Sequence, residues 1–425
     1  MEGRGIPAVV LGTDAFVSLA RAAAVKYGLP HLAVALVRHP LGGIEPQLVL
    51  DKAETIVDDV LAALTRDPAA PAPLAAVAGA ALVEAPDDLD AFQAWAMTER
   101  WSDGLPVLPP TRERVDRMLG ALTARRAAIV ATPAPLDGRA TLEAIAINAA
   151  LAGAEPAHLP VIVAAVRALA DPRFNLNAVQ TTTHPCTPLV IVNGPLAARL
   201  GIAGGANALG NGHRANAVIG RAVRLVVQNV GGARPGLEDR ATLGHPGKFS
   251  YCLAENEAAS PWAPLSVERG FPPTTSTVTV VGAEAPHNVN DHGSTTAEAL
   301  LRALAGTAAT TGSNNIYLGG EPVVILGPEH AQTIASSGWA KADFKRRFWE
   351  RARVRLDRFS AENLARFAVI APERFVGRPP DADVPWCVAP DDLVVIVAGG
   401  PGKHSAVIPT FGATRAVTVP IEAWG

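Results

Sequence analysis

Cysteine is nearly missing from this sequence. Three occur in 425 residues, Cys186, Cys252 and Cys387, odd in number and far apart. A disulfide scaffold is thereby excluded, and the usage fits a reducing compartment, so a cytoplasmic protein is expected. A surplus of one charge is missing too. The formal net charge is −3, with no basic excess to neutralise phosphates, so nucleic acid is not an expected partner. No run approaches the ~18 consecutive apolar residues of a membrane helix, and Met1 to Gly5 does not read as the opening of a secretory leader, so no membrane association is expected. Also lacking are a G-x-G-x-x-G after a strand, G-K-[ST], H-E-x-x-H and C-x-x-C. Without them the chain has no legible dinucleotide, phosphate-loop or metal signature, and neither a metal nor a resident cofactor is expected.

What the sequence does have is apolar bulk. It is 49% hydrophobic and 18% charged, enough for a large core and, at this length, for two or three domains. Ile6 to Thr13 (IPAVVLGT) reads as a buried strand, followed by a helix to about Tyr27, with Asp14 as its cap and Gly28 and Pro30 closing it. His31 to Val37 reads as a second strand, His39-Pro40-Leu41-Gly42-Gly43 as a loop, and Glu45 to Leu64 as a helix. This is a parallel α/β unit, although two strands are few for a sheet covered on both faces. The expected fold is α/β throughout: an incomplete small parallel unit at 1–66, a Pro/Ala-rich linker at 67–87 and a large α/β domain at 88–425, divided near residue 270. Within the large domain Asp88 to Trp101 reads as a helix, and Thr111 caps the next.

One pattern recurs in the large region. LVIVNGP (189–195), VVILGP (323–328) and LVVIVAGGP (393–401), with TVTVVG (277–282) as a looser fourth, are apolar β-branched runs ending in glycine. Several buried strands should therefore end in tight turns, the place where open α/β sheets bind ligands.

The glycine-rich loop at 204–212 runs into a helix on which Arg214, Arg221, Arg224 and Gln228 share one side at ~100° per residue, opposite Ile219, Val223, Val226 and Val227. Backbone N–H groups and the helix dipole suit a carboxylate or phosphate there, so Arg214, Asn216 and Arg221 are candidate anion-binding residues; a solvated arginine stripe is the equal alternative. Strand-end loops add Asn193, Gly194, Gly400 and Lys403. His287, His292, Glu329, His330 and His404 follow other strands. If those ends converge, His287, His292, His330 and His404, with Glu329, can serve as acids and bases, or the histidines as metal ligands, although no spacing points to a metal. Cys186, between two prolines in THPCTP, is a candidate nucleophile without an evident basic partner; a small buried residue is its more ordinary reading, as for Cys252 and Cys387. Glu255 and Glu257 would share a strand face, read first as solvated or salt-bridged. The basic run Lys345 to Arg358 reads as an exposed helix.

RGIPAVVLGTDAFVSLARAAAVKYGLP, followed by HPLGG, resembles the latter part of the UGSC-like domain. That family is named for a Sec-Gly-Ser-Cys or Cys-Gly-Ser-Cys motif, and its redox selenoprotein members are distantly similar to glycine and sarcosine reductase components. Residues 93–425 resemble the longer region that often accompanies it, through WSDGLPVLPPT, VIVNGP, GNGHRANAVIGRAVRL, HPGKFSYCLAENEAASPW and GPEHAQTIASSGWAK. In the family the redox loop follows the first strand and precedes the helix that ends near a segment like RGIP, whereas this chain has no C-G-S-C. The resemblance thus implies one strand, a selenocysteine or cysteine pair and most of a helix upstream of Met1, as when a UGA codon for selenocysteine is taken for a stop. The alternative is a redox half on a separate polypeptide.

The first functional expectation is therefore a thiol- or selenol-linked oxidoreductase or reductive-cleavage enzyme. It would act on a small anionic substrate, with a thiol electron donor and a nucleophile lying outside this sequence. The second is a hydrolase or lyase that uses the large domain's histidines and Glu329. The third is a non-catalytic subunit of a redox complex. An oligomer is compatible with each.

Overall fold

The computed structural model describes residues 1–67 and 81–422, so most of the expected linker, 68–80, lies outside the described residues. In the first unit β1 (Val9–Thr13) and β2 (Ala33–Val37) pair in parallel and are joined by α1 (Val17–Lys26). The expected third segment forms as two helices, α2 (Pro46–Glu54) and α3 (Val57–Thr65). Its buried cluster is Ala35, Val37 and Ile56, while Leu11 on β1 is 62% exposed. So small a core is below what an independently stable sheet requires. Asp14 does not cap α1. Its carboxylate accepts the His39 N–H at 3.0 Å, and a 3-10 turn at Asp14–Phe16 leads into the helix.

α4 (Leu89–Thr98) and α5 (Arg112–Leu119) open the large domain: Thr111, the expected cap, accepts the Arg114 N–H at 3.3 Å, and Asp88 caps α4 by accepting the Ala91 N–H at 2.9 Å. The pair β3 (Ile129–Ala131) and β4 (Ala140–Thr141) leads to α6 (Leu142–Leu151), α7 (Leu159–Leu169) and α8 (Leu176–Thr181). There follow β5 (Thr187–Asn193), α9 (Pro195–Arg199), α10 (Arg214–Asn229), β6 (Cys252–Ala254), α11 (Leu265–Glu268), β7 (Thr277–Ala283) and β8 (His287–Asn290). The last stretch holds α12 (Ala297–Ala308), α13 (Asn314–Leu318), β9 (Val323–Leu326), α14 (Pro328–Ser336), α15 (Lys341–Arg351), β10 (Arg353–Arg355), β11 (Asp383–Pro385), β12 (Val394–Val397), β13 (His404–Ile408) and β14 (Val417–Pro420).

Eight of these strands make two sheets of one plan. Sheet one runs β14-β7-β5-β6, with β6 parallel to β5 and β7 and β14 each reversing direction in turn. Sheet two runs β12-β9-β13-β8, with β12 parallel to β9 and β13 and β8 reversing likewise. The chain crosses to sheet two between β7 and β8 and returns between β13 and β14. A division near residue 270 therefore does not follow the sheets, because β7 and β14 belong with β5.

Side-chain alternation sets the layers. Leu189 and Ile191 of β5 join Val323 and Ile325 of β9 and Val394 and Ile396 of β12 in a core between the sheets. Val190 and Val192 turn outward to the residues of α6, α7 and α10, and Val324 and Leu326 to those of α12, α14 and α15. The result is helix, sheet, sheet, helix. All seven residues of β5 are buried, which is why its middle, Leu189 to Val192, is an unbroken apolar run. The four glycine-ended runs are β5, β7, β9 and β12. Of the basic run, Arg346, Arg351, Arg355 and Arg358 are exposed as expected, but α15 buries Lys345, which pairs with Glu268 at 2.5 Å beside Lys341 at 3.2 Å. No helix among the described residues is long and apolar enough to cross a membrane.

Candidate functional site

The two sheets bring the ends of their parallel pairs together, with the Asn256 N–H donating to the Val397 carbonyl at 2.8 Å. The glycine-rich loops expected to hold a ligand meet each other there. The Gly399 N–H donates to Gly204 O at 2.8 Å, and a Cβ on Gly400 would stand 2.6 Å from that of Ala206. Asn216 is buried and closes its own loop, accepting from Ala203 N–H and donating to Ala203 O and Ala208 O. Arg221 holds Asp103 by two bonds of 2.9 and 2.8 Å and also donates to Leu105 O and Pro106 O. Arg224 and Gln228 are buried as well, Arg224 against Gln180 and Asp239, Gln228 against Ser102 O. The part of the α10 polar face that carries Arg221 and Gln228 is thus a packing surface for the segment around Asp103, and Arg224 is committed to Gln180 and Asp239. Arg214 remains largely exposed and pairs with Glu155 at 3.1 Å.

Beyond β9 the histidines partly converge. His330 is buried, with Nδ1 2.7 Å from Ser405 Oγ and Nε2 3.0 Å from the Asp291 carbonyl, while Ser405 Oγ accepts the Gly327 N–H at 3.1 Å. A carbonyl only accepts, so Nε2 carries the ring proton and Ser405 donates to Nδ1. Burial pushes the His330 pKa down, which keeps this ring neutral. The Nε2 atoms of His292 and His404 lie 3.4 Å apart, and His404 Nδ1 is 3.1 Å from Asn288 Oδ1. Lys403 donates to the His292 carbonyl at 3.2 Å, and Glu329 accepts the Gly402 N–H at 2.7 Å. His287 stands apart. It faces Val407 in the β8–β13 register, whereas His404 faces Asn290. No group of three or more His, Cys, Asp or Glu among the described residues is placed to hold a metal ion.

At the end of β5 the arrangement differs. Asn193 is fully buried, and its Nδ2 donates to Glu255 Oε2 at 2.7 Å and Glu257 Oε1 at 2.9 Å. The Gly194 N–H donates to the same Glu257 oxygen at 2.7 Å, and the Leu265 N–H to Glu255 Oε2 at 2.8 Å. Gly194 has φ +88°, and a Cβ there would meet Ser276 Cα at 2.7 Å, so this turn requires glycine. Asn193 and Gly194, expected to receive an anion, have their donors turned to carboxylates that would repel one. Burial pushes the Glu255 carboxyl above the usual carboxylate range, against the pull of Lys341.

A third polar cluster, which no motif announced, lies where the first unit meets the large domain. Lys26 pairs with Asp137 at 2.8 Å, and Arg240 donates to Ser18 Oγ with its guanidinium 5.7 Å from the Phe16 ring centre. Phe16 packs edge-on against His39, whose Nδ1 is 3.1 Å from Thr13 Oγ1. The carboxyl ends of β1 and β2 are thereby tied to the loop at 234–245. Next to Arg240, Asp239 is buried between Arg224 at 2.8 Å and Lys248 at 2.6 Å, and His184 Nε2 is 2.6 Å from Glu284 Oε1. Gln180 Nε2, His184 Nδ1, Arg234 Nε, Glu238 Oε2 and Arg240 Nε are buried here without a protein partner. His184 and Lys248 stand near prolines in THPC and GHPGK, a weak signal with no spacing that links them to Arg240.

Cys186 lies beside this cluster but is buried, and burial pushes its thiol up to about 12. Cys252 is likewise pushed up to about 12, and burial raises Cys387 too. None is a thiolate at neutral pH, so the nucleophile expected at Cys186 lacks its reactive form.

Residues 1–66 match the UGSC family model and form a UGSC-like domain. No curated protein and no solved structure matches the chain.

Proposed function

We propose that the protein is a thiol- or selenol-linked oxidoreductase, or reductive-cleavage enzyme, whose small anionic substrate binds in the seam between the UGSC-like domain and the large domain. The observation that carries this reading is the junction of the β1 and β2 ends with Arg240. Ends of parallel strands are where such units hold ligands. Here they abut a loop whose neighbourhood holds buried, unpartnered donors at Gln180, Arg234 and Arg240. An anion would satisfy such donors, and buried polar groups are rarely left unmet.

With all three thiols of the chain buried and protonated, the nucleophile comes from elsewhere, consistent with the motif for which the family is named. A thiolate or selenolate attacks the electrophilic atom of the substrate, and the leaving group departs with the bonding pair. A second thiol then attacks that sulfur or selenium. The substrate atom leaves with its electron pair and takes a proton, and the resulting disulfide or selenosulfide is reduced by a thiol donor.

The test is the reduction of small carboxylates bearing a leaving group, with a peptide containing Cys-Gly-Ser-Cys added as nucleophile. A variant with Cys186, Cys252 and Cys387 all replaced by alanine should turn over like the parent, and Arg240→Ala should lower kcat/KM by roughly tenfold or more. Loss of turnover in the folded cysteine-free variant, or indifference to Arg240→Ala, would overturn the proposal.

A further inference from the structure

The carboxylates at the end of β5 are a separate matter from the seam. His184 precedes β5 and Asn193 ends it, so a strand of seven residues, roughly 20 Å, lies between the two places. Glu255 is 5% exposed and its Oε1 is buried with no protein partner; Asn193 is 0% exposed and its Oδ1 has none either. Every hydrogen bond that the Glu255 and Glu257 carboxylates accept among the described residues comes from an uncharged donor: Asn193, Gly194 or Leu265. Lys341 acts on Glu255 through space, but its ammonium is paired with Glu268 at 3.2 Å. A buried carboxylate that shares one amide with a half-buried one, without a cation of its own, is costly.

Both line a cavity of about 350 Å³. They are its only charged residues among those described. Apart from Asn256, the remaining wall is glycine, alanine, proline and isoleucine. What the cavity lacks on its acidic side is hydrogen-bond donors, and what it offers on the other is a short apolar surface. It is also too roomy for a bare ion, and two carboxylates with one amide fall short of the six to eight oxygens of a calcium site.

We infer that this cavity binds a small aliphatic amine as its ammonium ion, with N–H groups donating to Glu255 and Glu257 and the carbon chain lying against Ala197, Ile202 and Pro273. The ammonium supplies the missing positive charge, and it carries three N–H donors for a pair of carboxylates. Nothing in this inference depends on the redox reading, so either stands if the other falls.

The experiment titrates the 425-residue protein with propylammonium chloride, followed by calorimetry and by the shift in Tm, against equal concentrations of tetramethylammonium, sodium, magnesium and calcium chlorides. Propylammonium should bind and raise Tm where tetramethylammonium, which has no N–H, does not. Glu257→Gln, at the accessible rim, should weaken binding by roughly tenfold or more while the protein stays folded, and Glu255→Gln should do the same. The inference is overturned if propylammonium does not bind, if tetramethylammonium binds equally well, if only the divalent ions act, or if both variants keep the parent affinity.

Discussion

At the end of β9, Gly327, Ser405, His330 and the Asp291 carbonyl form a chain in which each donor meets an acceptor. At the end of β5, in a sheet of the same plan, Asn193 serves two carboxylates and leaves Glu255 Oε1 and its own Oδ1 unmet. Both places sit where a glycine-ended strand turns into a helix, so topology alone does not distinguish them. The balance of donors and acceptors does. In sheet two the histidine proton closes the chain, and the cluster is complete as a piece of structure. In sheet one acceptors exceed donors, and the deficit is one that a ligand can fill. A polar strand end is therefore a weak indication of function until its hydrogen bonds have been counted.

The comparison is broken most severely at Gly327. A Cβ there would lie 2.2 Å from the His404 carbonyl oxygen, a backbone atom that cannot step aside. Gly327→Ala should cost about 4 kcal/mol or more in urea unfolding, or prevent folding. If it is tolerated, β9 and β13 are not held as described. Ser405→Ala should cost less, about 1–3 kcal/mol, because it strips the Gly327 N–H and His330 Nδ1 of their partner in a buried setting. A cost within about 0.5 kcal/mol would mean the sheet-two chain is not a tightly made network. Such a result would remove the contrast with sheet one.

How much of this was legible follows from what each signal measures. The four glycine-ended runs mark β5, β7, β9 and β12 because strands buried on both faces read as near-continuous runs of apolar and β-branched residues. The residues of the first unit were enough for the resemblance that the family match supports. For α10 the period separated the apolar face from the polar one, but it could not name the partner: Asp103, which takes Arg221, is 118 positions away. The same distance hides the seam, where Arg240 meets Ser18 across 222 positions. Glu255 and Glu257 do come together, though not as neighbours on one strand face. β6 ends at Ala254, and the two are gathered by Asn193 from the adjoining strand. Spacing along the chain locates candidates, whereas hydrogen-bond balance is a property of the folded state.

The subtlest expected difference is in how the two sheets respond to pH. Glu255 has its folded-state pKa raised by burial, so between about 4.3 and that raised value the native state holds a proton the unfolded chain has released. Stability should fall there as pH rises. His330 has its folded-state pKa lowered by burial, so below about 6.5 the unfolded chain gains a proton before the native state does. Its contribution is intact above that pH and should be lost as pH falls toward the lowered value. The two slopes have opposite signs. Urea midpoints measured from pH 4.5 to 8 should show that Glu255→Gln removes the loss toward high pH and nearly matches the parent at the acid end. His330→Gln, whatever its level of stability, should flatten the loss toward low pH. If Glu255→Gln leaves the slope unchanged, the carboxyl is already ionised and compensated. The surplus of acceptors that separates sheet one from sheet two then does not exist.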